Sequence, residues 1–358
     1  MTATQETPPA PAVGRPPVRG VAGLVVALLV AGVATALGAL VPIVGGPVFG
    51  ILLGALAAAV VPALRAPRFE PGYAVAAKPV LQLSIVVLGT GLSLQQVVRV
   101  GGQSLPVMLG TLAVALGGAW LLGRWLGVRG DTQILIGVGT GICGASAIAA
   151  TTAVIKAKQA QVAYAIGTIF TFNIAAVLLF PPLGHLLGMS PHAFGLWAGT
   201  AINDTSSVVA ASFAYGGDAG SYGLVVKLTR TLMLIPIVIF LAVRTARRDA
   251  RLAAAERGEE SAGFSLRAMP WRKIVPLFLI GFIAAATLDS LGVIPESWHP
   301  ALSALGTFLI TTALAGIGLS LRLADMRRAG SRPLLLGALL WVAVALSSLG
   351  LQALTGTL

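Results

Sequence analysis

The sequence predicts an all-α polytopic membrane protein of about eleven hydrophobic segments, and three observations carry that reading. Of the 358 residues, 56% are hydrophobic and only 10% are charged, against roughly 25% charged in a soluble domain. A water-facing surface needs more charge than this, so lipid covers much of the molecule. Apolar runs of about 20 residues, long enough to span a bilayer, recur along the chain. Backbone polar groups in lipid must be satisfied within their own segment, so these runs are helices, and the alternation of an outer-membrane barrel is absent.

The elements follow in order. Residues 1–20, rich in Pro, Ala and Thr, read as a disordered cytoplasmic tail. The run 21–41 is too long for a signal-peptide core and is expected as a retained first helix. Further segments fall at about 47–64, 79–97, 105–123, 132–155, 160–187, 193–213, 222–243, 273–290, 301–321 and 333–355, so that 21–358 is one transmembrane domain. Its largest loop, about 244–273, is basic and expected on the cytoplasmic side. The 44 glycines lie inside apolar runs, where they let helices approach closely or break.

The net charge is +12. The positive residues sit between apolar runs, as cytoplasmic loops do under the positive-inside rule, so no nucleic-acid partner is expected. Arg65, Arg68, Lys78, Arg124, Arg129, the 244–273 loop and Arg322–Arg332 all fall on one side if eleven segments cross from a cytoplasmic N-terminus. Lys156 and Lys158 dissent, landing outside. The expected location is the bacterial inner membrane. Cys143 is the single cysteine and the three histidines are scattered, so no disulfide, structural metal or cofactor is expected.

Two internal repeats stand out. Gly89-Thr-Gly-Leu-Ser-Leu94 recurs as Gly316-Ile-Gly-Leu-Ser-Leu321, with Ser104, Pro106 and Gly110 falling on Ser331, Pro333 and Gly337. The copies run in opposite directions, the mark of an inverted-topology repeat common in secondary transporters. A second match sets the stretch from Gly139 to Ile148 on that from Gly199 to Val208, both reading G-T-x-I-x-x-x-S. Eleven full crossings make that pair parallel. If 132–155 and 193–213 are broken or re-entrant and enter from opposite faces, the pair is antiparallel and Lys156 and Lys158 return to the basic side.

The candidate site residues lie in three segments. Segment 193–213 holds Thr200, Asn203, Asp204, Thr205, Ser206 and Ser207 within an apolar run. Read as a helix, Thr200, Asp204 and Ser207 share a face. A carboxylate at that depth is functional by default, though it could instead cap a broken half-helix. Segment 222–243 holds Lys227 and Arg230 on one face. Two cations near one carboxylate leave a surplus positive charge that favours an anion, with Arg230 read as the deeper and Lys227 free to snorkel. Segment 132–155 offers Thr140, Cys143 and Ser146 among Gly137, Gly139, Gly141 and Gly144, which either pack helices or expose N–H groups at a half-helix start. Asn173 is expected in an interhelical hydrogen bond, and His185, Asp289, Glu296 and His299 at segment ends.

The stretch Ile136-Gly-Val-Gly-Thr-Gly-Ile-Cys-Gly-Ala-Ser-Ala-Ile-Ala-Ala150, Lys156-Ala-Lys158, Gly195-Leu-Trp-Ala-Gly199, Asp204, Lys227-Leu-Thr-Arg230 and the two Gly-Leu-Ser-Leu copies resemble the YeiH-type family of bacterial membrane proteins, also labelled sulfate exporters. The resemblance covers nearly everything after about residue 40. It implies a transporter with inverted repeats and two broken helices crossing near the midplane, similar to the cation–proton antiporter and bile-acid symporter group. In that pattern a histidine commonly precedes the Asp; here the position is Asn203, so a proton relay through it is not expected.

The expected function is therefore secondary transport, in the sense of export, of a small anion such as sulfate or sulfite, with Asp204 carrying a coupling proton or Na+. An anion channel, a membrane-embedded enzyme and an assembly or sensor protein are the alternatives. No second acid or base sits mid-segment to serve an enzyme. A homo-oligomer is compatible with this reading.

Overall fold

The computed structural model describes residues 18–41, 45–257, 277–320 and 331–358, and the described residues contain helices and no strand. The helices are α1 (Val18–Leu40), α2 (Gly45–Val60), α3 (Glu70–Val75), α4 (Leu81–Gly89), α5 (Leu94–Trp125), α6 (Asp131–Gly141), α7 (Ala145–Ile155) and α8 (Gln159–Leu186). They continue as α9 (Pro191–Ala201), α10 (Thr205–Tyr215), α11 (Ala219–Leu232), α12 (Leu234–Arg257), α13 (Leu277–Ser290), α14 (His299–Ser320) and α15 (Ser331–Thr355). Among the described residues, seven stretches are long and apolar enough to cross a membrane, and α2 and α13 are shorter apolar helices. The protein is a polytopic membrane protein.

Several boundaries differ from the sequence reading for local reasons. Most of the expected 1–20 tail lies outside the described residues, but α1 already begins at Val18. The expected 79–97 segment is really the end of one span and the start of another. The first runs from Glu70 to Gly89, with α3 and α4 joined by a π turn at Ala76–Val80 that accommodates Pro79. It stops because Ser93 opens α5 with a capping box closed by Gln96. The basic loop expected at 244–273 is helical as far as Arg257, and 258–273 lies outside the described residues.

The larger finding concerns 132–155 and 193–213, which are helical hairpins that enter and return on the same side. The phenol of Tyr215, at the end of α10, donates to the carbonyl of Met189, just before α9 starts. The Tyr215 ring stacks on Phe194 in the first turn of α9 and on His185 at the end of α8. A pair of half-helices in line would hold these ends about 30 Å apart. In the first hairpin, Val128 before α6 and Ile155 at the end of α7 join one apolar cluster with Leu122 and Leu126. Each arm has 11 residues, about 16 Å, or half the hydrocarbon thickness. The tips therefore lie near mid-depth. The crossing broken helices implied by the family resemblance are replaced here by two re-entrant hairpins.

Hairpins change the sidedness without changing the basic loops. The single span α8 separates the two hairpins, which thus enter from opposite faces. The connection 156–158 now shares its side with the α5–α6 turn, and Gly127 of that turn lies against Arg332 at the start of α15. Connections 90–93, 187–190 and 216–218 occupy the other side and hold no Lys or Arg. In a Cys143→Ser background, a cysteine at position 158 is expected to react with an impermeant maleimide from the same face as one at 129, and one at 217 from the opposite face. Labelling of 158 and 217 from one face would contradict the hairpins.

The inverted repeat extends further than the motif that revealed it. Gly54 of α2 packs on α14, where an added Cβ would come within 2.5 Å of the Ala315 carbonyl. Gly281 of α13 packs on α4, where it would meet Val86 at 2.9 Å. Both are close backbone approaches of the kind that small residues permit. They are also equivalent under the register that sets Gly89 on Gly316, so α2–α3/α4–α5 is mirrored by α13–α14–α15. Helices α1–α4, α13 and α14 form one body, and α5–α12 with α15 form another. The bodies meet across an apolar cluster in which Ile51, Leu81, Ile85, Phe282 and Leu314 face Val209, Ala210, Leu224 and Leu228.

Candidate functional site at the hairpin tips

Each tip is made by a short sequence that cannot continue a helix. In the first hairpin, α6 ends at Gly141, and Gly144 starts α7 at φ +64°, a conformation that a side chain would strain. In the second, Ile202-Asn-Asp204 interrupts the run, and Asp204 becomes the N-cap of α10. Its carboxylate accepts from the Ser207 N–H at 2.8 Å, the Ser207 hydroxyl at 2.7 Å and the Ser206 hydroxyl. Asp and Asn compete for nearby N–H groups, which favours caps over helix interiors. The tips touch: a Cβ on Gly144 would lie 3.1 Å from that of Asp204.

Two cations from α11 bind both tips at once. Lys227 Nζ donates to the carbonyls of Ile142 at 2.7 Å and Ile202 at 2.8 Å. Arg230 Nε donates to Gly141 O at 2.6 Å, while its guanidinium also reaches Thr200 O and, at 3.4 Å, Thr140 O. Both side chains are fully buried. They thus cap the C-terminal ends of α6 and α9, where the helix dipole leaves about half a negative charge each. Lys227 does not snorkel: like Arg230 it is fully buried and held between the tips.

The other sequence candidates fall into place around this bolt. Thr200 and Asp204 do not share a helical face, because the break at 202–204 separates them. The Thr200 hydroxyl instead bonds Leu196 O at 2.6 Å and pairs with Ser348 of α15 at 2.7 Å, and Gln352 donates to Ser348 at 3.3 Å. Asn173 accepts from the Asn203 N–H at 3.3 Å, the interhelical bond expected of it. Cys143 is buried beside the Ala147 N–H. Gly137, Gly139 and Gly141 pack against Ala119, Ile148 and Leu112 respectively, so only Gly144 serves the break. His299 meets Asp289 at 2.7 Å between the ends of α13 and α14. Ser348, Gln352 and the backbone carbonyls are the contributors that sequence reasoning missed. The polar pair in α15 was visible as a signal; the carbonyls were not.

One face of the tips is open. Ser146 is exposed, and Ala145, Asp204, Thr205, Ser206 and Ser207 are half-buried. The N-terminus of α7 has no side-chain cap, whereas the equivalent end of α10 is capped by Asp204. Repeat-equivalent positions 144 and 204 are thus Gly and Asp, so one tip carries a carboxylate where the other carries no side chain. The fixed charges follow the same asymmetry. Two cations face about one negative charge from the two C-termini, Asp204 supplies another, and the N-termini of α7 and α10 add about one positive. The tips hold a surplus of about one positive charge. Among the described residues, seven buried side-chain polar atoms lack a partner, and five of these belong to the hairpins: Thr140, Thr151, Thr152, Asn203 and Ser212.

Fold and tips together define a polytopic membrane protein with inverted repeats and two re-entrant hairpins meeting at mid-depth. The chain belongs to the family described as conserved hypothetical protein 698, whose model matches residues 22–337, the YeiH-type family that its motifs resemble. It is 43% identical over 342 residues to a "UPF0324 membrane protein" of Streptococcus pyogenes, covering 94% of this chain and 98% of that one. Relatives of the same description in Streptococcus pneumoniae (40%, covering 94% and 97%) and Fusobacterium nucleatum (39%, covering 93% and 98%) are similarly close. No solved structure matches the chain.

Proposed function

We propose that this protein is a secondary transporter of a small anion, of the sulfate or sulfite class, coupled to a proton through Asp204. It lies in the bacterial inner membrane with its N-terminus in the cytoplasm, because that orientation puts the basic connections inside. The observation that carries the reading is the open N-terminus of α7 beside Asp204, in a tip region with a surplus positive charge. Helix N-termini bind oxyanions through aligned N–H groups and the dipole, and half-helix N-termini at mid-depth are a recurrent substrate site in transporters. The second tip shows the geometry in miniature, since a carboxylate already sits there on one N–H and two serine hydroxyls.

Coupling follows from proximity. An ionised Asp204 next to the α7 terminus repels an arriving anion, and a protonated one admits it. Proton and anion thus bind together, and the direction of net transport, export included, follows their two gradients. The inverted repeats suit alternating access better than a channel, and the apolar contact between the two helical bodies is a surface along which they can shift. The tip side chains Lys227 and Arg230 are engaged with backbone carbonyls, which supports reading the site as a carrier.

Binding tests this directly. Radiolabelled sulfate and sulfite should bind the purified protein, more tightly at lower pH. Ser146→Ala should weaken binding about tenfold or more, the loss of one hydrogen bond to a charged group. Equal binding by Ser146→Ala would remove the α7 terminus from the site.

A further inference from the structure

Broken helices in ion-coupled transporters present unwound carbonyls and half-helix C-termini to the coupling cation. This chain assembles such a set: the carbonyls of Thr140, Gly141 and Ile142 from one tip and of Thr200 and Ile202 from the other. Every one of them already accepts from a cationic side chain. Lys227 contributes a compact ammonium, the side-chain group closest to a bare monovalent ion. Its Nζ lies between one carbonyl of each tip at 2.7 and 2.8 Å. Arg230 takes the remaining three, and both side chains have no exposed surface.

We propose that the two half-helix C-termini form a monovalent-cation site that the chain fills permanently with its own Lys227 ammonium, braced by Arg230. A tethered cation cannot leave with the substrate. No sodium or potassium ion binds between the tips, and the coupling ion of the transporter is the proton on Asp204. The consequence for coupling rests on the transporter reading above; the occupied site itself does not. Lys227 then serves as a positioning residue that holds the tips together, and its role is electrostatic and replaceable by a free amine.

Truncation to alanine should expose the site. Lys227→Ala removes three methylenes and the ammonium, leaving a slot shaped for n-propylammonium that ends on two unpaired carbonyls. Thermal unfolding of the purified full-length protein reads the result. The wild-type midpoint should be the same in sodium, potassium and N-methylglucamine chloride. Lys227→Ala should melt lower and recover with added n-propylammonium, while Lys227→Met, whose side chain fills the slot, should not recover. An amine at ten times its dissociation constant multiplies the folded-to-unfolded ratio about elevenfold. A sodium-dependent rise in the wild-type midpoint would overturn the proposal by revealing a cation site still open, and that arm decides the matter even if both variants fail to fold. Equal responses of Lys227→Ala and Lys227→Met to the amine would overturn it as well. Failure of the protein to transport any anion would leave these midpoints unchanged, so the two readings fail separately.

Discussion

Arg230→Leu should destabilise the protein by about 2–6 kcal/mol, because it leaves at least two buried carbonyls without donors at about 1–3 kcal/mol each. The carbonyls are those of Gly141 and Thr200, which end α6 and α9. They face one another across the guanidinium, so the loss also sets two negative helix ends together without a counter-charge. Folded domains are stable by only about 5–15 kcal/mol, so the expected readout is a strongly lowered melting temperature and poor yield. Arg230→Lys should recover part of the loss: it keeps the charge but lacks the planar fork that reaches both tips. Melting of the two variants in detergent checks the order. Equal stability of Arg230→Leu and wild type would mean that the cations do not hold the tips.

Asp204 should separate into two roles when its two substitutions are compared. Asn caps a helix about as well as Asp, so Asp204→Asn should keep the α10 cap and melt close to wild type. Asp204→Ala removes the cap and should cost about 1 kcal/mol. Both lose the titratable carboxylate, and both should lose the dependence of anion binding on pH, whatever their stability. With the repelling charge gone, the neutral variants should bind anion at high pH as the wild type does at low pH. If pH-dependent binding survives in Asp204→Asn, the proton is carried elsewhere, and Asp204 is a cap alone. Comparing melting and pH-dependent binding in the same preparations separates structural from functional loss.

Much of the fold was legible because lipid imposes simple rules. Segment lengths, the positive-inside pattern and the Gly-Leu-Ser-Leu repeat located the spans and their inversion. The awkward placement of Lys156 and Lys158 already pointed to re-entrance. What the sequence did not yield was the path of the chain within a broken segment, since hairpins and crossing half-helices share the same apolar pattern. The choice is made by contacts distant from the break, such as Tyr215 on Met189 and Phe194. For the site, Asp204, Lys227 and Arg230 announced themselves as charges in apolar runs. Their partners did not, because the acceptors are backbone carbonyls of Gly, Ile and Thr, which any residue type would supply. The helical-face argument for Thr200 and Asp204 failed for the same reason: it assumed a helix through Ile202–Asp204, where the cap residues end it.

The central claim, a proton-coupled anion site at the hairpin tips, is tested most directly by uptake of radiolabelled sulfate and sulfite into proteoliposomes, with and without an imposed pH gradient. Wild-type protein should accumulate one of these anions when the gradient is present. Asp204→Asn, at matched incorporation and melting temperature, should show no gradient-driven accumulation. Gradient-driven uptake retained in full by Asp204→Asn would contradict the account.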